Sequence, residues 1–195
     1  QNERKDFDGA KAAYRAAIAA DPGHSHAHSH LGVLLLSERD DIDGAEAEMR
    51  AAIAAWPQNT EAHHNLGFLL MKHRKDVDAA EASYLSAIEA NPLDACTYGA
   101  FGSLLRDERK NMAAAEMAFR AAIEVDPEDI RSHNHLYHLL VKKMRSDVGT
   151  VEAALRAAIA AIPGYAPSHY NLGILLEKER KDFDGAEAAY RAAIV

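Results

Sequence analysis

The chain has 195 residues, 48% of them apolar and 7% aromatic, and its 22 Lys+Arg against 30 Asp+Glu give a formal net charge of −8. That apolar content supports a buried core and excludes disorder, no apolar run approaches the ~18 residues of a membrane span, and the acidic balance disfavours a general nucleic-acid binder, which needs a basic face. The one cysteine, Cys96, excludes an internal disulfide framework and most cysteine-based zinc sites, while eleven histidines are many for this length.

In chain order, the first expected element is a helix over about 6–20. Asp6 can accept from the free amides of its first turn, Asp8 favours the positive end of its dipole, and Ala10, Tyr14, Ala17 and Ile18 recur at helical spacing. Pro22 ends it, because the residue before a proline is pushed out of helical geometry. A second helix follows, carrying Leu31-Gly32 and Leu34-Leu35, and a third opens at Asp41 with Ala45 and Met49. From there the pattern repeats. Pro22, Pro57, Pro92, Pro127 and Pro163 are spaced by 35, 35, 35 and 36 residues. The series Asp6, Asp41, Asp76, Asn111, Asp147 and Asp182 keeps the same period, as do Leu31-Gly32, Leu66-Gly67, Phe101-Gly102, Leu136-Tyr137 and Leu172-Gly173. The segments beginning at Asp6 and Asp182 differ at one position over thirteen. The expectation is one unpaired second helix and then five helix pairs, eleven helices in all, with unit boundaries near the five prolines.

Glycine inside a helix costs about 1 kcal/mol relative to alanine, yet four units keep it, which points to close approach of the two helices of a unit. Ala45, Ala80, Ala115 and Ala186 are placed to face those glycines. The fourth unit departs: Tyr137 replaces the glycine, Val151 the early alanine, and one residue is added within 142–146. Added bulk at a helix seam predicts a wider gap or a changed angle there.

The pattern resembles the tetratricopeptide repeat. The matches are Gly32, Gly67, Gly102 and Gly173 at the small site, and Ala45, Ala80, Ala115 and Ala186 at the first alanine. Tyr14, Met49, Tyr84, Phe119, Leu155 and Tyr190 match the large site, and Ala17, Ala52, Ala87, Ala122, Ala158 and Ala193 the second alanine. The 35-residue period is one longer than the commonest form, with the extra residue expected in the turn between the two helices. Where the family often has Trp, three before the Leu-Gly leucine, stand His28, His63, Tyr98, His133 and His169. The resemblance implies an all-α, right-handed solenoid of stacked antiparallel helix pairs over 1–195, with first helices lining a concave wall that holds extended peptides. Gln1 to Lys5 match the tail of a first helix, and Val195 follows directly on Ala193-Ile194; with no polar caps, the expectation is a piece of a longer array or ends covered by partner subunits.

On that wall the first units place His26, Ser29, His30 and Val33, then Glu61, His64, Asn65 and Phe68, then Cys96, Gly99, Ala100 and Ser103. The later ones place Arg131, Asn134, His135 and His138, then Pro167, Tyr170, Asn171 and Ile174. Asn65 and Asn171 sit where asparagine grips a ligand backbone in some members; an amide both donates and accepts. With Arg131 the sole cation, a carboxylate clamp is disfavoured. Recurrence of His28, His63, His133 and His169 at one site points to packing. His26 and His30, i and i+4 on a helix, are the weak metal candidates, with no carboxylate or cysteine to complete them. Trp56 reads as inter-repeat packing first and a partner anchor second.

No phosphate-binding glycine loop, nucleophile elbow or His-Glu-x-x-His is present. The reading is therefore a non-catalytic interaction scaffold without a cofactor, binding a protein or peptide partner as a subunit of a larger assembly. RNA binding by a related helical repeat is the alternative, and a metal- or pH-responsive histidine module the lesser one. The lone cysteine slightly favours a soluble protein of a reducing intracellular compartment.

Overall fold

The computed structural model describes residues 2–39, 41–143 and 147–194, and among them it contains eleven α-helices and no strand. They are α1 Asn2–Ala20, α2 Ser25–Arg39, α3 Ile42–Ala55, α4 Thr60–Leu69, α5 Val77–Ala90, α6 Ala95–Asp107, α7 Met112–Val125, α8 Ile130–Lys143, α9 Val148–Ala161, α10 Ala166–Leu175 and α11 Phe183–Ala192. Consecutive helices pack as adjacent pairs, α2 on α3, α4 on α5, α8 on α9 and α10 on α11. The chain falls into two compact units, Gln1–Leu104 and Leu105–Val195, divided inside α6.

The punctuation is local chemistry. Asp41, Asp76, Asn111, Asp147 and Asp182 cap their helices by accepting from the amides of Gly44, Ala79, Ala114, Thr150 and Gly185, at 2.9–3.3 Å. Trp56, Asn91, Asp126 and Ile162, each before a proline, leave the helix with φ between −132° and −143°, as the proline ring demands. The turn inside a unit closes on Lys75, Lys110 or Lys181 at φ 60°, 55° and 58°. There the amides of Asp76, Asn111 and Asp182 reach back to the carbonyls of Leu70, Leu105 and Leu176, a helix-ending loop that normally uses glycine. Five-residue π-helical turns at Leu70–Arg74 and Leu176–Arg180 precede it. A π turn is how a helix absorbs an added residue, which puts the residue in excess of a 34-residue unit at this turn.

Two expectations need correcting. α1 runs unbroken from Asn2 rather than opening at Asp6. The seam glycines also do not simply face alanines. A Cβ on Gly32 would lie 3.0 Å from both the Ala45 carbonyl and the Met49 side chain, but on Gly67 and Gly173 it would strike the rings of Tyr84 and Tyr190 at 2.9 and 2.5 Å. The large residue of the second helix fills the space the missing side chain leaves.

The core of the first unit gathers Leu31, Leu35, Met49, Leu66, Leu69, Leu70, Tyr84 and Leu104 around Ala45 and Ala80. In the second, Phe119, Leu136, Leu139, Leu140, Val151, Leu155, Leu172 and Leu176 are buried. Tyr137 and Val151 leave their mark on the fourth pair. α8 and α9 lie close together along less of their length than α2–α3, α4–α5 or α10–α11. A hollow of about 340 Å³ opens beside them, lined by Tyr137, Val141, Val151, Ile174 and Lys178. The added residue itself falls mostly at 144–146, outside the described residues.

Candidate functional site

The first helices put their recurrent histidine, three residues before the Leu-Gly leucine, against the preceding loop. Nε2–H of His28, His63, His133 and His169 donates to the carbonyl of Pro22, Pro57, Pro127 and Pro163 at 3.1, 2.8, 2.8 and 2.7 Å. The proline has no N–H, but its carbonyl is free to accept, so each imidazole latches its inter-unit loop. This series is structural. His28 also meets Glu48 through Nδ1 at 2.6 Å.

In the first unit, several wall residues tie neighbouring first helices together. His30 on α2 faces Glu61 on α4 at 3.4 Å and stacks on Tyr14. His64 on α4 meets Thr97 on α6 at 2.9 Å. The Thr97 hydroxyl donates to Asp94, so the proton between His64 and Thr97 sits on the imidazole Nδ1. His26, exposed, meets Trp56 edge-to-face at 5.4 Å. The two candidate metal ligands thus turn to different neighbours, and the described residues hold no group of three potential ligands. Ser29, expected on the wall, is fully buried, its hydroxyl without a partner among the described residues. Ser103 donates to the Gly99 carbonyl of its own helix, and Ala100 leans on the core. Exposed on this face are Val33, Phe68 and Cys96.

The second unit builds a denser cluster. Arg106 forks onto Asp107 with two 2.8 Å bonds, donates to Nδ1 of His135 at 3.2 Å, and lies 5.7 Å over the Phe119 ring. His135 stacks on the same ring at 5.2 Å. Burial and the Arg106 charge hold the His135 imidazole below its ordinary pKa, as befits a ring that accepts rather than donates at Nδ1. Asn134 donates to the Tyr165 hydroxyl at 2.7 Å, and Arg131 pairs with Asp129 at 3.4 Å. His138 is exposed beside Tyr137. Tyr170 is 54% exposed next to the half-buried Asn171 and Ile174. The amides of Asn65 and Asn171, both half-buried, form no side-chain hydrogen bond among the described residues.

Sequence reasoning missed three elements of this arrangement. Asn59 is 1% exposed; it caps α4 through Ala62 and donates to Ser25, whose hydroxyl donates to the Ala52 carbonyl. The position holds His24, Asp94, Asp129 and Tyr165 in other units; apart from Tyr165, which makes no side-chain cap, it is a polar series that could have been read as a cap. Arg74 pairs with Asp43 and Glu46, and Arg180 with Glu152. Burial raises the Glu46 carboxyl, but bonds from Arg74 and Arg50 outweigh it and hold the pKa below its usual value. Last, the site four after the seam glycine decides what meets the large residue: Glu177 accepts from Tyr190 at 2.7 Å, Arg106 covers Phe119, and apolar Met71 packs on the core that holds Tyr84.

Among the described residues, no helix is long and apolar enough to cross a membrane. No curated protein matches the sequence. The fold is similar to that of PilF from Pseudomonas aeruginosa (TM-score 0.76, 23% identity, 96% of this chain and 82% of that one). It is similar also to YrrB, described as a TPR protein with an unusual peptide-binding site (TM-score 0.66, 17% identity, 93% and 91%), and to MamA (TM-score 0.64, 21% identity, 82% and 90%). The family model for the tetratricopeptide repeat matches residues 3–59, 37–95 and 150–195. With most of its length matched and its helix pairs seamed by small residues under large ones, the chain belongs to the tetratricopeptide repeat family.

Proposed function

We propose that residues 1–195 act as one non-catalytic repeat array whose concave face, lined by first helices, holds an extended peptide segment of a protein partner. The observation that carries this is the state of the two asparagines. Most polar groups of the wall are already engaged, His30 with Glu61, His64 with Thr97 and Asn134 with Tyr165. Asn65 and Asn171 keep half-buried amides that bond no side chain among the described residues, each beside an exposed aromatic, Phe68 or Tyr170. A half-buried amide with no side-chain partner keeps its donors and acceptor for a ligand, and an amide next to an apolar surface suits a ligand backbone and its side chain together. The hollow beside Ile174, which follows Asn171 by three residues on α10, offers room for one apolar side chain. A peptide-binding protein among the fold neighbours supports the same partner class. The net charge of −8 favours protein over nucleic acid.

The test is selection from a random peptide library displayed on phage, followed by calorimetry of the selected peptide. Asn65→Ala and Asn171→Ala should each weaken it about tenfold, the worth of one good hydrogen bond, and leave the melting temperature in place. Binding indifferent to both substitutions but abolished by Met117→Asp, on an exposed site of α7, would place the ligand elsewhere and end this reading.

A further inference from the structure

Each imidazole latch uses one ring nitrogen, and what meets the other differs from pair to pair. His28 and His133 hold Pro22 and Pro127 through Nε2 in the same way, so both rings turn Nδ1 towards the second helix of their own pair. On α3 that helix supplies Glu48, whose carboxylate meets His28 Nδ1 at 2.6 Å. A carbonyl and a carboxylate both only accept, so the His28 ring donates from both nitrogens. On α5 the equivalent residue is Ser83, whose hydroxyl donates to the Ala79 carbonyl instead, and His63 is only half-buried. On α9 it is Ala154, one position further along because of the added residue in that unit. His133 is 6% exposed, yet its Nδ1 bonds no group among the described residues.

Where α3 presents its carboxylate, the fourth pair has a hollow of about 660 Å³ between α7, α8 and α9, with His133 and Ala154 in its lining. That is within the size range of small-ligand pockets. Its apolar walls are Ile123, Leu136, Ala153 and Ala157. Three exposed charged residues also line it: Arg120, bonded to Glu116 at 3.0 and 3.1 Å, and the acids Glu124 and Asp147. One deeply buried imidazole nitrogen in an apolar chamber suits a ligand with a single polar head and a hydrocarbon body. Glu124 and Asp147 repel a second acid group on that ligand.

We propose that this hollow binds a small monocarboxylate with an apolar body, and that its carboxylate takes at His133 Nδ1 the place that Glu48 holds at His28. The hydrocarbon part lies along Ile123, Leu136 and the alanines of α9. Nε2–H stays on the Pro127 carbonyl, so the complex needs a second proton at Nδ1, and binding takes one up from solvent. The other charged groups near the ring are Arg120 and Glu124 on α7, Asp126 and Glu128 on either side of Pro127, and Asp147 ahead of α9. No second histidine lines the hollow. The site is built on second helices rather than on the wall of first helices, so it stands or falls apart from the peptide reading.

Hexanoate and its neutral isostere hexanamide, each titrated into the full chain, test it through the ring nitrogen and proton resonances of His133. Hexanoate should saturate those signals at about millimolar concentration, with the proton on Nε2 retained and a second appearing on Nδ1. Hexanamide should bind at least about tenfold more weakly, since it brings no negative charge. Above the ordinary imidazole range, about pH 6.5, the hexanoate affinity should fall about tenfold per pH unit, the slope of one proton taken up. Ala154→Glu rebuilds the α3 arrangement. It should give His133 the ring resonances of His28 with no ligand present and abolish hexanoate binding, and Ala154 is only half-buried, so circular dichroism should stay unchanged. Hexanamide binding as well as hexanoate, an affinity flat with pH, or His133 signals unmoved at about tens of millimolar would each overturn the proposal on the unaltered chain. So would a folded Ala154→Glu variant that binds hexanoate as before.

Discussion

Removing the same oxygen from two equivalent tyrosines should change stability in opposite directions. Tyr84 is fully buried, and its hydroxyl has no partner among the described residues; burial pushes its pKa well above the usual tyrosine value. An unsatisfied buried hydroxyl costs about 1–3 kcal/mol. Tyr84→Phe keeps the ring against Gly67 and leaves a void on the order of 10–15 Å³, which at about 24 cal/mol per Å³ costs roughly 0.3 kcal/mol. The net expectation is a gain of about 1–2 kcal/mol, or a melting temperature higher by about 2–4 °C per kcal/mol in a chain of this size. Tyr190, whose hydroxyl does reach Glu177, should lose stability on the same change. Urea unfolding followed by helical circular dichroism reads both, with fits that allow repeats to open singly. Met71→Gln, which offers Tyr84 an acceptor, should shrink the gain from Tyr84→Phe. A loss from Tyr84→Phe, or equal signs at the two sites, would refute the claim that the fourth residue after the seam glycine sets the energetics of the large site.

Gly67→Ala should destabilise by about 1–2 kcal/mol, because a Cβ 2.9 Å from the immobile Tyr84 ring outweighs the ~1 kcal/mol helix preference. Gly9→Ala, with nothing within 4 Å, should stabilise by about 0.5–1 kcal/mol, and thermal melts compare the two. Asn59→Ala removes a buried cap and orphans Ser25, for an expected cost of about 2–3 kcal/mol by urea titration. The Tyr190 pKa is raised to about 12 by its bond to Glu177. The folded state therefore holds that proton longer than the unfolded chain, and the contribution is complete below pH about 10 and lost as pH rises towards 12; Tyr190→Phe should flatten that part of the alkaline stability profile. His135 is the reverse case. Its folded pKa is depressed, so stability should fall as pH drops below about 6.5, and His135→Gln should remove that slope.

The repeat period, the helix-capping series and the seam glycines are all legible in the chain, because each is a local rule that recurs. What faces the glycines is not. Ala80 and Tyr84 lie one turn apart on α5, and only three-dimensional placement decides that the ring, rather than the methyl group, covers Gly67. The wall is legible as a set of positions but not in its internal pairing. His64 reads as an open imidazole until Thr97, 33 residues on, is brought to it, and His30 likewise until Glu61 arrives. Asn65 and Asn171 carry the clearest signal, since their Asn-Leu-Gly context is identical and their unengaged state emerges by subtracting the pairs around them. The unbroken α1 is not legible at Asp6, where the capping residue that opens the other second helices lies inside a continuous helix.

The imidazole latches carry a practical consequence. A ring N–H that is both buried and held on a loop carbonyl, as in His28 and His133 at 3.1 and 2.8 Å, exchanges with solvent more slowly than a free one. His28 and His133, whose rings are also buried, therefore supply two built-in magnetic-resonance beacons, one for each of two loops. The order in which those downfield signals fade on warming reports which hairpin lets go first, without any label attached to the chain.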